Sequence, residues 1–236
     1  EVRQLLPNGK LGMAIRLDGP PRAVGAAADG TVYVAMRDHV QVFSPRGDRR
    51  ARWKPLGARS VLTALGIGAA DVWVADAGER VVWRFGRGGE ARGRIGARDE
   101  GRRVPGLVVP SPHLDVAVAP DGGVWVSNPG RHRVERYATD GQLLWAWGEA
   151  ANGVEGFCGC CNPTDIAVLP EGGFVTSEKG IPRVKRYSAA GEFVGLVAGA
   201  DAFTEGVTGL DLAADAAGRV LVLDPAARAV RVFVRK

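Results

Sequence analysis

All three cysteines of this chain fall within four positions, in the run Phe157-Cys158-Gly159-Cys160-Cys161-Asn162-Pro163. Thiolates bind soft metal ions and iron–sulfur clusters, and a glycine between two cysteines lets both sulfurs turn toward one centre. Three thiols are one short of a closed structural site, so the fourth ligand would be His113, an acidic side chain, a partner group or an exogenous one. A second reading is oxidative: Cys160 and Cys161 joined in a strained vicinal disulfide, or Cys158 bridged to either with one thiol left over. A third is inert, buried thiols. The spacing matches no recognised zinc or ferredoxin pattern.

Asp115, Asp165 and Asp211 share a position in an internal repeat, where the other copies hold Ala23 and Thr63. If that position opens the innermost strand of each repeat, all five side chains surround one end of a central channel. Carboxylates gathered there repel one another unless a cation, an arginine or a water network intervenes. Cys158, Cys160, Cys161, His113, Asp115, Asp165 and Asp211 are therefore the candidate metal ligands. The competing reading is local, because aspartates at strand and turn starts accept bonds from backbone N–H groups. A second repeated position holds Met36, Asp76, Asn128, Glu178 and Asp224. Hairpin geometry accounts for it, and Met36 shows that the fold does not demand a polar residue there.

Chemistry at these positions depends on elements that recur. The copies AVGAAADGTVYVAM, TALGIGAADVWVAD, DVAVAPDGGVWVSN, DIAVLPEGGFVTSE and DLAADAAGRVLVLD follow one another at a spacing of roughly 40–50 residues, the period of a blade array. In the third copy, residues 115–118, 124–126, 134–137 and 143–147 read as short strands separated by Gly-containing turns. Four antiparallel strands joined this way make one propeller blade. The predicted fold is all-β: a single β-propeller domain over 1–236 with a partial blade at 1–17. Its blades lie at about 18–56, 57–108, 109–159, 160–205 and 206–236. Residues 1–17 read as the third and fourth strands of a blade, with 11–17 placed to close the last blade. A six-bladed type with its first blade incomplete is expected, with a five-bladed closed ring as the alternative.

The stretches DVAVAPDGGVWVSNPGRHRVERY and DIAVLPEGGFVTSEKGIPRVKRY resemble NHL repeats, and the resemblance covers nearly the whole chain. GFCGCCNPTDIAVLPEGGFVTSEKG is similar to a bacterial group of NHL-repeat proteins. NHL propellers include protein-binding scaffolds, RNA binders and a metal-dependent amidating lyase, so the resemblance implies a fold more than an activity. The lyase pattern needs several convergent imidazoles. This chain has only His39, His113 and His132, and only His113 is placed at the channel mouth. No G-x-S-x-G elbow, phosphate-cradling loop or H-E-x-x-H is present, and no catalytic residue is assigned.

The 31 Lys and Arg against 26 Asp and Glu leave a net charge of only +5. Arginines cluster at 46–52 and 87–103, the second group along a connection at about 86–112 long enough to suggest a docking or functional loop. Interspersed acids and the lack of interleaved aromatics argue against nucleic acid. No apolar run reaches the roughly 18 residues needed to span a bilayer. The expected function is a non-catalytic, extracytoplasmic protein-interaction scaffold or a subunit of an exported redox assembly, with the cysteine loop at the channel mouth. The alternatives are a metal- or cluster-binding propeller enzyme and an RNA-binding NHL domain.

Overall fold

In a computed structural model, which describes residues 1–235, the regular structure is strand apart from two short 3-10 turns, Pro129–Arg131 and Ala200–Ala202. A two-stranded sheet opens it, β1 (Val2–Leu5) and β2 (Leu11–Ile15). The first blade is β3 (Ala23–Ala26), β4 (Val32–Ala35), β5 (Val40–Phe43) and β6 (Arg49–Arg52). The second is β7 (Leu62–Ile67), β8 (Asp71–Asp76), β9 (Val81–Gly86) and β10 (Ala91–Ile95). The third comprises β11 (Val116–Val118), β12 (Val124–Asn128), β13 (Arg133–Tyr137) and β14 (Leu143–Trp147). The fourth comprises β15 (Asp165–Val168), β16 (Phe174–Glu178), β17 (Arg183–Tyr187) and β18 (Phe193–Ala198). The fifth has three strands, β19 (Asp211–Ala214), β20 (Val220–Asp224) and β21 (Ala229–Phe233). Every sheet is an antiparallel meander in sequence order. The five blades form a β-propeller, and the five-bladed reading fits it, with β1–β2 as an added small sheet.

Local chemistry explains each blade. Both faces of β15 and β16 are buried, Ile166 and Phe174 toward the third blade and Ala167 and Val175 toward the fifth, and the intervening turn needs the positive φ of Gly172, 92°. The inner strands stand side by side, β3 with β7, β7 with β11, β11 with β15 and β15 with β19. Between successive blades lies an apolar layer, with the third-strand aromatics Phe85, Tyr137 and Tyr187 packed into three of these layers. Trp147 of the third blade stacks at 4.7 Å from Tyr187 of the fourth, and the fourth blade's outer turn passes over its indole at Gly191. A Cβ there would meet Trp147 at 2.5 Å, so glycine is required both by contact and by its φ of 75°. Such aromatic pairs add about 0.5–1.5 kcal/mol each beyond burial.

Two details differ from the sequence reading. The connection after β9 is not irregular from its start, since Ala91–Ile95 forms an outer strand; only Ile95 of it is buried. Residues 11–15 pair with β1 and place Ile15 and Met13 against Val34 and Phe43 of the first blade, rather than closing the fifth. Met36 joins that same apolar cluster, which is why its position can do without a polar side chain.

Candidate functional site

Ala23, Thr63, Asp115, Asp165 and Asp211 all line one central cavity of about 430 Å³. There Thr63, Asp115 and Asp165 each reach across to the next blade. Thr63 Oγ1 donates to the Leu114 carbonyl at 2.6 Å. Asp115 accepts from Val116 N–H at 2.8 Å in its own blade and from Ile166 N–H at 2.7 Å in the following one. Asp165 accepts from Leu212 N–H at 3.0 Å. The repeated position is thus a staple between inner strands. Burial pushes the Asp115 carboxyl up to about 7, with the Asp211 charge adding to the effect and the two N–H donors opposing it. Burial and then the charges of Asp115 and Asp211 raise Asp165 well above its usual range. Asp211 opens onto the cavity but is ringed by protein, and burial raises it too. All three carboxyls are raised together, each keeping its proton to higher pH than a free aspartate does.

The cysteine loop joins β14 to β15 and is tied down on every side. Lys185, fully buried on β17, donates to the Gly156 carbonyl at 2.5 Å and lies 4.2 Å from the Phe157 ring centre. Tyr187 Oη donates to the Glu155 carbonyl at 2.9 Å. His132 Nε2 contacts the Gly159 carbonyl at 2.5 Å, and Asn162 Nδ2 donates to the carbonyls of Cys158 and Lys179. Burial pushes the Lys185 ammonium down to about 8, while Glu178 beside it at 3.3 Å supports its charge.

This loop sorts the thiols. Cys160 is exposed and Cys161 buried, with their sulfurs 2.9 Å apart. Cys158 is half-buried and accepts from Arg183 Nη2 at 3.7 Å. Burial opposes ionisation of Cys161, but hydrogen bonds from Cys160, Ser111 and Lys179, with the Lys179 charge, outweigh it and hold the thiol below its usual range. Cys160 moves the opposite way, raised by its hydrogen bond to Cys161 and by that sulfur's charge. The two shifts run oppositely, so when the pair loses a proton the negative charge is favoured on the inner sulfur.

Cys160, Asn162, Lys179, Gly180, Thr204 and His113 line an open groove of about 760 Å³ with Phe203 and Val207 as its floor. His113 also borders the aspartate cavity, so the thiol pair and the carboxyl ring open on either side of one imidazole. Burial and the Lys179 charge lower the His113 pKa, favouring the neutral ring. The structure unites Cys160 with Cys161, and Asp115 with Asp165 and Asp211; it gives Cys158 to Arg183. Among the described residues, no group of three or more His, Cys, Asp or Glu is arranged to hold a metal ion. Lys179, Ser111 and Lys185 were not singled out from sequence. The signal was there for two of them: in a chain with lysine only at 10, 54, 179, 185 and 236, two flank this loop's neighbouring hairpin.

The second repeated position builds hairpins, as its residue types suggested, and does more. Asp76 accepts from Val61, Gly78 and Glu79 N–H groups, and Asn128 from Val108 N–H. Asp224 accepts from Thr204 and Ala227, with the Ala227 N–H the largest cause holding its carboxyl down to about 2. Each of the three anchors the loop that leads into its own blade.

No family profile matches this chain, and no curated protein is significantly similar to it. Solved structures are similar in fold. Virginiamycin B lyase from Staphylococcus aureus matches at 13% identity and TM-score 0.61, over 99% of this chain and 77% of the lyase. A Bacteroides thetaiotaomicron protein of unknown function matches at 15% and 0.69, over 96% of this chain and 62% of that one. Myxococcus xanthus glutaminyl cyclase matches at 12% and 0.58, over 92% and 91% respectively. At such identities the likeness shows the propeller and nothing of the chemistry.

Proposed function

We propose that this chain is an NHL-type propeller serving as an extracytoplasmic protein-interaction scaffold, docking its partner over the mouth that carries the cysteine loop. The carrying observation is the groove beside Cys160. A loop fixed by five hydrogen-bonding anchors there presents an exposed thiol next to the Lys179 ammonium, and Ile181 stands 54% exposed at the adjoining hairpin tip. A rigid apolar anchor with a neighbouring cation suits a partner segment of apolar and acidic side chains. The lyase and the cyclase show that enzymes use this fold. The scaffold reading is favoured here because both Asp115 oxygens and one Asp165 oxygen are occupied by backbone N–H groups. No helix among the described residues is long and apolar enough to cross a membrane.

The test is quantitative capture of whichever protein the wild-type chain retains. Ile181→Asp, at an exposed tip, is expected to weaken binding of that protein by about tenfold or more, as loss of a central apolar anchor does. Glu171→Ala, exposed on the β15–β16 turn at the opposite end of these strands, is expected to leave it unchanged. A partner held equally well by both variants, or tight RNA binding that collapses with added salt, would sink the reading.

A further inference from the structure

We propose that Cys160 and Cys161 form a redox-active dithiol that takes up oxidising equivalents from disulfide-bearing molecules entering the mouth groove, Cys160 attacking first and Cys161 closing the bridge. This deepens the scaffold reading, since the thiols open onto the same groove. Its chemistry, however, needs no protein partner.

Four features carry it. The sulfurs stand 2.9 Å apart, within about 1 Å of a disulfide bond length, so the two side chains already face each other. Their exposures differ: Cys160 is open to the groove while Cys161 is 2% exposed, so an incoming disulfide meets only the outer sulfur. Lys179 and Ser111 face the Cys161 sulfur, and Lys179 Nζ is itself fixed by donation to Ser111 Oγ at 3.0 Å. The anchors from His132, Asn162 and Lys185 hold the loop so that the two thiols cannot drift apart, while Arg183 keeps Cys158 occupied.

The steps balance. The Cys160 thiol passes its proton to the adjacent Cys161 sulfur and attacks one sulfur of R–S–S–R. A Cys160–S–S–R bond forms, the substrate S–S bond breaks, and its electron pair leaves on RS⁻. That thiolate takes the proton from Cys161 and departs as RSH. The bared Cys161 sulfur then attacks Cys160 Sγ, the mixed disulfide breaks, and a second RS⁻ leaves to be protonated by water. Starting from the singly ionised pair, the protein loses two electrons and one proton, water supplies the second proton, and the substrate disulfide gains two electrons and two protons as two thiols. A bridge between adjacent residues is strained and so readily reduced, which makes the couple reversible.

The experiment uses the full chain, reduced and then exposed to glutathione disulfide, quenched with acid and read by mass spectrometry with peptide mapping. Wild type and Cys158→Ser are both expected to lose two hydrogens with no adduct, the bridge mapping to Cys160–Cys161. Cys161→Ser is expected to accumulate one glutathione adduct on Cys160. Cys160→Ser is expected to react about tenfold or more slowly, since Cys161 is buried and Cys158 does not line the groove. Circular dichroism of each variant checks that the fold is retained. A stable adduct on wild type, a bridge that includes Cys158, or no reaction overturns the proposal. If Cys160→Ser still binds the protein partner while the bridge fails to form in wild type, the scaffold stands and the dithiol falls; a bridge that forms while Ile181→Asp still binds gives the reverse.

Discussion

Asp115 links two blades through a single carboxyl group, accepting from Val116 on one side and Ile166 on the other. The arrangement has a pH signature. The folded chain holds this carboxyl at about 7 against an ordinary value of 3.8, so between those values the folded state binds more protons than the unfolded one. Stability from this group is therefore full in acid and falls as pH rises through that window. Asp115→Asn offers one acceptor where two N–H groups need one each, and is expected to cost about 1–3 kcal/mol. Urea midpoints taken near pH 5 and near pH 8 should converge in the variant relative to wild type. A variant with the full wild-type pH slope would show that Asp115 does not carry it.

The cysteine loop behaves as an element because β17 holds it. Lys185 does this from a fully buried position, pairing with Glu178, contacting Phe157 and Tyr187, and reaching the Gly156 carbonyl. Its counterpart on β13 is Glu135, equally buried, which takes Arg133, Tyr137 and Asn128 as partners. The two neighbouring blades thus solve one buried polar position with opposite charges. Lys185→Met keeps the apolar stem but removes the anchor and one partner of Glu178, and is expected to cost about 3 kcal/mol, as breaking a buried pair does. The loosened loop should also raise the alkylation rate of Cys161, measured with iodoacetamide under native conditions. An unchanged rate would mean that the remaining anchors suffice.

At the scale of the molecule, apolar layers join each blade to the next, and β1–β2 to the first. Outside them, Val194 and Leu196 on β18 and Val230 and Val232 on β21 remain exposed, Leu196 at 52% and Val232 at 51%. Val194 and Leu196 line a cavity of about 460 Å³ with Phe233 and Val234, at the end of the three-stranded fifth blade. An uncovered apolar strand edge is a template for association. The isolated chain is expected to self-associate with rising concentration, and Leu196→Lys combined with Val232→Lys to suppress this in sedimentation velocity runs. A wild-type chain that stays monomeric at high concentration would remove the argument.

The sequence by itself determined the repeat, the strands and their turns, because alternating apolar residues and glycine turns act over a few residues and need no distant partner. It also determined that five equivalent side chains ring one cavity, since identical blades place identical positions alike. The outer strand Ala91–Ile95 was hidden by its Arg and Gly content, which an outward-facing strand tolerates. Tertiary structure decided the rest. Asp115 finds Ile166 across 51 positions, Lys179 finds Ser111 across 68, and Lys185 finds Gly156 across 29. Those partners meet only once blades stack face to face, and stacking is governed by the layers between sheets rather than by the order of residues within one.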